Sequence, residues 1–329
     1  MKSRARFSTL RRWLALLWLA GLLVAAGLAP VLPLPYAPDA PDLHAIAVTP
    51  LTGQHWLGTD PLGRDVLAQL LFGARTAVLV SLPAAALATL LGTILGSAAG
   101  FWSNDNIRIP AVYGLAALGV VAFSFVFQLS SGTSILLLGI IAAGLSLGAA
   151  RLHRAGYRQV VALPVDRAVL GLGALVASVP LLILALTLAA LLQPSPAGLL
   201  AVLVATYWPG PARLVRAEVL RIRALPYIEA GRSLGLPDGR LLYRHILPNC
   251  WHTISATFPI SVATLIGLET TLSFLGVGLP PETASWGRLL ASARLAPTAW
   301  WLILSPALAI LLTTLALRQL SNTVSRNPQ

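Results

Sequence analysis

The sequence predicts an all-α fold: a polytopic membrane helical bundle of about eight transmembrane helices. Hydrophobic residues make up 57% of the chain and charged residues only 10%, and the mean hydropathy is +0.79. That balance is far from the composition of a soluble domain. The apolar residues also gather into eight runs near the length of about 20 residues that a helix needs to cross a bilayer.

In chain order the runs are residues 13–34, 77–101, 109–129, 134–150, 168–192, 198–213, 254–277 and 299–320. The first follows a basic start, Lys2, Arg4, Arg6, Arg11 and Arg12. That start and the small residues near Ala29 also suit a signal peptide, but the run is long for one, so an uncleaved span is expected. The loop over 35–76 carries Asp39, Asp42, Asp60 and Asp65 against Arg64 and Arg75. Within it Gly58 and Gly63 permit tight turns beside Asp60, Arg64 and Asp65, and an amphipathic run follows. By itself this stretch reads as a capped surface helix.

Residues 229–248, EAGRSLGLPDGRLLYRHILP, form a polar, arginine-rich island between lipid-suited segments. The spacing predicts two short helices around a turn. Tyr227, Ala230, Gly231 and Leu234 share one helical face, and Glu229, Arg232 and Ser233 fall on the other. Gly235 suits a C-terminal cap, the turn at 236–239 launches a second helix, and Pro248 is expected near its stop. Helices this short are marginal alone in water, so a partner is expected to dock on the small-residue face. A solvated loop that happens to be helical is the alternative. In the span at 254–277, Glu269 is the single acidic residue placed within any predicted span. A carboxylate there must be paired with a neighbouring helix or face a water-filled path or gate. Gly276, Gly278 and Pro280-Pro281 are expected to break the helix after it, as a hinge or re-entrant segment.

The arginines give the orientation. With the N-terminus inside, the basic start, Arg151, Arg154, Arg158 and Arg167, and the arginines from Arg213 to Arg244 all fall on the cytoplasmic side, leaving the aspartate-rich loop outside. The formal charge of +12 is therefore a topology signal, and no nucleic acid is expected as a partner. Trp13, Trp56, Trp102, Trp208, Trp286 and the pair Trp300-Trp301 lie near predicted span ends and are expected to anchor the membrane interfaces. The one cysteine, Cys250, cannot form an internal disulfide, and no Cys/His cluster has metal-ligand spacing. No cofactor is implied. The only lysine, Lys2, lies outside any glycine-rich loop, so this chain is not expected to hydrolyse ATP.

Glu229-Ala230, Gly235 and Leu247-Pro248 together resemble the EAA loop of ABC importer permeases, in residue type and in spacing. Gly231 replaces the family's usual second alanine, and His245 replaces an isoleucine. RHILPN, residues 244–249, is similar to the oligopeptide, dipeptide and nickel branch. HWLGTDPLGRDVLAQLLFGART (55–76) and ETTLSFLGVGLPPETASWG (269–287) resemble the C-type subunit of that branch. The resemblance implies the type I ABC importer permease fold in a bacterial inner membrane, with both termini cytoplasmic. It implies a B-type permease partner, two cytoplasmic ATP-binding subunits, an extracytoplasmic solute-binding protein and membrane lipid around the spans. It further implies peptide-like cargo moved by alternating access, with Tyr227, Glu229, Ala230, Gly231, Gly235, Leu247 and Pro248 coupling the chain to the ATPases and Glu269 in the translocation path or gate.

The expected organisation is an N-terminal helix and periplasmic segment at 1–76, a permease domain at 77–320 with a cytoplasmic coupling loop at 215–250, and a tail at 321–329. Two departures from the family are visible. About 60 extra residues, roughly 103–164, separate Gly100-Phe101-Trp102 from Asp166-Arg167, and two apolar runs there suit an inserted helical hairpin. The tail also lacks the acidic, glycine-containing end common in the family. An ion-gradient-driven secondary transporter and a non-transporting membrane scaffold remain as alternatives, although no internal repeat is evident.

Overall fold

The computed structural model describes residues 2–52, 55–104, 108–110, 143–144, 147, 151, 160–162 and 164–326. In chain order its elements are α1 (Lys2–Leu28), α2 (Val66–Trp102), β1 (Arg108–Pro110), β2 (Val160–Ala162), α3 (Val165–Ala177), α4 (Leu181–Leu191), α5 (Pro196–Tyr207), α6 (Pro209–Arg223), α7 (Pro226–Ser233), α8 (Asp238–Phe274), α9 (Trp286–Ser292) and α10 (Trp301–Arg326). The fold is the expected helical membrane bundle. Among the described residues, α1, α2, α8 and α10 are each long and apolar enough to cross a membrane, and two bent pairs, α3 with α4 and α5 with α6, raise the number to six. The expected runs at 109–129 and 134–150 lie almost wholly outside the described residues, and Ile109 and Pro110 belong to β1 instead of opening a span.

Several boundaries differ from expectation, and proline explains most of them. The run at 168–192 is broken before Pro180, whose φ of −52° and ψ of 129° are non-helical, and the two halves are bent by 83°. A residue preceding proline is pushed out of the helical region, which is why α3 stops short of Val179. The next pair bends by 41° at Trp208-Pro209 and continues to Arg223, ten residues past the expected end. Pro248 does not end a helix. It occupies the first turn of the long α-helical part of α8, directly after a π-helical stretch, Leu241–Ile246. There the Leu247 N–H bonds Leu242 O, and this wider turn lets the chain pass a residue with no N–H of its own.

Chain Met1–Ser97 with Leu172–Gln329 forms one compact unit. Its helices meet through small residues. Gly92 and Gly96 of α2 lie where a Cβ would strike the backbone of α6, at 2.8 Å from Ala212 N in the first case and against Ala212 O in the second. This i, i+4 glycine pair lets two helix backbones approach closely where apolar burial alone drives no association. The α8 and α10 helices are joined by Ser321 Oγ donating to Ala256 O (2.5 Å) and by His252 Nε2 beside Val324 O (3.2 Å). α1 lies antiparallel to α10, with Trp18 Nε1 donating to Thr313 Oγ1 (3.1 Å) and Arg11 near Gln319.

The aspartate-rich loop is a built structure. Gly58 and Gly63 both hold φ at +77°, the left-handed region that favours glycine. Asp60 accepts from Leu62 N, Arg64 N and Gln69 Nε2, each at 2.8 Å. Asp65 caps α2 by accepting from Ala68 N, and its other oxygen lies 2.9 Å from His55 Nδ1. Trp301 Nε1 donates to Thr59 O and Trp286 Nε1 to Leu70 O. These two tryptophans and Trp208 are buried, so they are core anchors with satisfied N–H groups or packed rings. Trp13, Trp56 and Trp300 are exposed.

Residues Ala98–Gly171 form the second unit. Its two ends are tied at a neck: Asp166 N bonds Ser103 O and Arg167 N bonds Asn104 Oδ1. Immediately beyond, β1 and β2 pair antiparallel with Arg108 opposite Ala162, Ile109 opposite Val161 and Pro110 opposite Val160. The sequence anticipated no strand here.

Candidate functional site

The island around Glu229 folds as a seated helix. Pro226 starts α7, where its missing N–H costs nothing. At the other end Gly235 takes φ +78°, with Gly235 N bonded to Arg232 O and Leu236 N to Gly231 O. That pair of bonds is a Schellman cap, and it closes α7 through the glycine expected to do so.

The inward face is Ile228 and Gly231, both buried. A Cβ at Gly231 would meet Leu241 Cδ2 at 3.1 Å and Leu236 Cδ1 at 3.2 Å, so this glycine serves the contact between α7 and the π-helical stretch. Sequence periodicity put Gly231 with Tyr227, Ala230 and Leu234 on the docking face. The structure separates them: Tyr227 and Leu234 are 47% and 84% exposed, and Ala230 and Glu229 are exposed beside them. Ile228, absent from the sequence reading, is the anchor. Leu247 is half-buried and Pro248 exposed. Asn249 Nδ2 donates to Tyr227 Oη (3.2 Å) and to His245 O (2.5 Å), which ties the outer face of α7 to the first turn of the α-helical part of α8. The residues named from sequence therefore lie on α7, its cap and the adjoining turn of α8, with Gly231 facing inward.

Glu269 is elsewhere, on the same helix but about 30 Å further along, by helical rise from Leu247. It is 1% exposed, and its Oε1 accepts from Ser273 Oγ (2.8 Å) one turn on in its own helix. Beyond it α8 ends in a second Schellman cap, with Gly276 at φ +78° and bonds from Gly276 N to Ser273 O and Val277 N to Leu272 O. The chain then turns and continues as α9. Arg288 holds that turn by donating to Leu279 O (2.6 Å), Thr283 O (3.2 Å) and Pro280 O. Burial lowers its guanidinium from the ordinary value, though an arginine remains charged under such a shift. Thr76 Oγ1 donates to Ala284 O (2.8 Å). The blocks at 55–76 and 269–287, distant in sequence, thus interlock through Thr76, Leu70 and Trp286.

At this end a recess of about 450 Å³ opens between Pro38-Asp39, the Phe72–Val80 part of α2 and Glu282–Ala284, with Asp39, Arg75 and Glu282 on its walls. It lies at the opposite end of α8 from the Glu229 cluster, about 40 Å away by helical rise from Leu247 to Phe274. The ends differ in charge. Arg11, Arg318, Arg232, Arg240 and Arg244 gather with α7 and the C-terminal turns of α10, whereas Asp39, Asp42, Asp60 and Asp65 cluster at the recess end.

Comparison with known proteins agrees with this architecture. Residues 135–326 match the family described as binding-protein-dependent transport system inner membrane components. A protein of Brucella suis biovar 1 named as a peptide transport system permease is 30% identical over 265 residues, 80% of this chain and 69% of its own length. A second Brucella suis protein, named as a peptide permease, is 30% identical over 86% of this chain and 75% of its own. The oligopeptide transport system permease protein OppC of Bacillus subtilis is 29% identical over 80% and 68%.

Proposed function

The chain belongs to the binding-protein-dependent transport system inner membrane components, the ABC importer permeases of the peptide-transport group, and from that premise we propose that it is the C-type membrane subunit of an ATP-driven importer of peptide-like cargo. The observation that carries the reading is the capped α7, seated by Ile228 and Gly231 and presenting Tyr227, Ala230 and Leu234 outward at the arginine-rich end. A rigid, exposed short helix on an otherwise lipid-suited chain is a contact for another protein.

In this reading the arginine-rich end, with both termini, is cytoplasmic, and each of two separate ATPase subunits docks on a permease, one of them on α7 here. ATP is hydrolysed there; this chain is non-catalytic. Movement of α7 reaches α8 through the π-helical stretch and the Tyr227 to Asn249 bond. A B-type permease completes the pathway, and a solute-binding protein delivers cargo to the recess end. The insert at about 103–164 stays a module on its own neck, and the family fold is built from 77–320 around it.

Co-purification from detergent-solubilised membranes tests the reading. Two ATPase subunits and a second permease are expected with the tagged chain, and Glu229→Lys is expected to reduce recovery of the ATPases about tenfold, the effect of losing roughly 1.4 kcal/mol of contact. Recovery of the chain alone, from membranes that express those partners, would replace the importer reading with a scaffold or secondary transporter.

Glu269 is assigned to the translocation path or gate, because its carboxylate sits beneath the turn that Arg288 and Gly276 shape. Glu269→Gln keeps the shape and an acceptor for Ser273 while it turns the second carboxyl oxygen, beside Thr270, into an amide. Uptake is expected to fall several-fold with unchanged amounts of folded protein. Equal losses of both would instead mark Glu269 as a packing residue.

A further inference from the structure

We infer a binding site for one anionic phospholipid in the groove between α1 and α10. The groove has a volume of about 560 Å³ and is lined by Leu14, Ala15, Trp18, Leu312, Leu315 and Ala316, with Arg11 and Gln319 at one end. Ala15 and Ala316 are buried at its floor, while Leu14, Trp18, Leu312 and Leu315 remain exposed along its walls. The walls are apolar, and no carboxylate lines the groove among the described residues.

Lipid tails are as apolar as these walls, so burial by itself selects no lipid over another. The basic end supplies the selection. Arg11 stands two helical turns, about 10 Å, before Trp18, at the end of the span where headgroups lie, and Arg12 and Arg318, next in sequence to Arg11 and Gln319, are exposed. Arg11 offers a planar set of donors matched to a phosphate diester, and Gln319 offers an amide. Basic pockets between transmembrane helices hold anionic headgroups on these terms. Trp18 is fixed at the groove by its bond to Thr313, so its indole is a built-in reporter of whatever chain lies there. The occupant is a bilayer phospholipid with a net negative headgroup; phosphatidylglycerol is the probe.

The test uses the purified complex, or the full chain, in phosphatidylcholine bilayers containing increasing fractions of brominated phosphatidylglycerol. The quenching component that disappears in Trp18→Phe reports the groove. It is expected to saturate at about a tenfold lower mole fraction for brominated phosphatidylglycerol than for brominated phosphatidylcholine, given the contribution of basic side chains near an anionic surface. Arg11→Gln should remove that preference while leaving quenching by both lipids. Equal quenching by the two lipids in the unaltered protein overturns the headgroup assignment. Protection of Trp18 from both lipids overturns the site altogether, because a protein segment then fills the groove.

Discussion

Gly235→Pro is expected to abolish ATP-driven uptake while leaving the chain inserted in the membrane. The reason lies in the backbone, since a Cβ at Gly235 would meet nothing within 4 Å. Its φ is +78°, and proline is fixed near −65°. The substitution also removes the N–H that bonds Arg232 O. Strain of this kind costs about 1–3 kcal/mol, and the lost bond about 1 kcal/mol more. α7 has eight residues, too few to be stable without its cap and its seat, so the exposed stripe loses its shape. Gly235→Ala keeps the N–H and is expected to cost about 1–2 kcal/mol, lowering uptake about tenfold without abolishing it. Uptake into membrane vesicles, normalised to inserted chain, checks both. Normal uptake by the proline variant would refute a coupling role for this loop.

The legible part of this site was the part written in glycine. Gly235 and Gly276 both cap helices with positive φ, and a glycine after a periodic run says so in the sequence. The face of α7 was less legible, because a helix of two turns offers two plausible stripes and periodicity does not tell which one looks inward. Ile228 decides it by being buried, together with Gly231 against Leu241 of the π-helical stretch, a segment whose local geometry no residue pattern announced. Pro248 misled for the same reason: read alone it stops a helix, and only the wider turn before it lets α8 run on to Phe274.

Outside the insert six spans were expected, and the described residues give four, or six if each bent pair is one span, with ends that differ from expectation. Hydropathy registers where a chain suits lipid, but not where a helix outlives the bilayer, and α2 and α8 each run 37 residues. The tryptophans show the same limit. An indole near a span end suits a headgroup layer or a buried carbonyl equally well, and the structure gives Trp286 and Trp301 the second. The pair Gly92 and Gly96 carried a readable signal for close helix approach that the apolar runs around it obscured.

The joint between α8 and α9 should tolerate added bulk poorly. A Cβ at Gly287 would collide with Thr270 O and lie 2.8 Å from Phe274 N and 2.9 Å from Ser273 Cβ. Two of these three atoms are helix backbone, which cannot rotate away as a side chain would. Overpacking in a core costs about 1–3 kcal/mol when side chains can adjust, and here α9 must move as a body. Such a move would pull Trp286 from its bond to Leu70 O and from its seat against Gly73. Loss of a buried tryptophan's contacts is worth about 3–5 kcal/mol, a large share of the 5–15 kcal/mol that holds a typical protein folded. Gly287→Val is therefore expected to leave little folded protein, and Gly287→Ala to lower the unfolding temperature in detergent more than Trp286→Phe, which removes one hydrogen bond and keeps most of the ring contacts. A Gly287→Ala protein with the unaltered unfolding temperature would mean that α9 is not clamped on α8, and the interlock of the two sequence blocks would have to rest on the bonds of Thr76 and Trp286 alone.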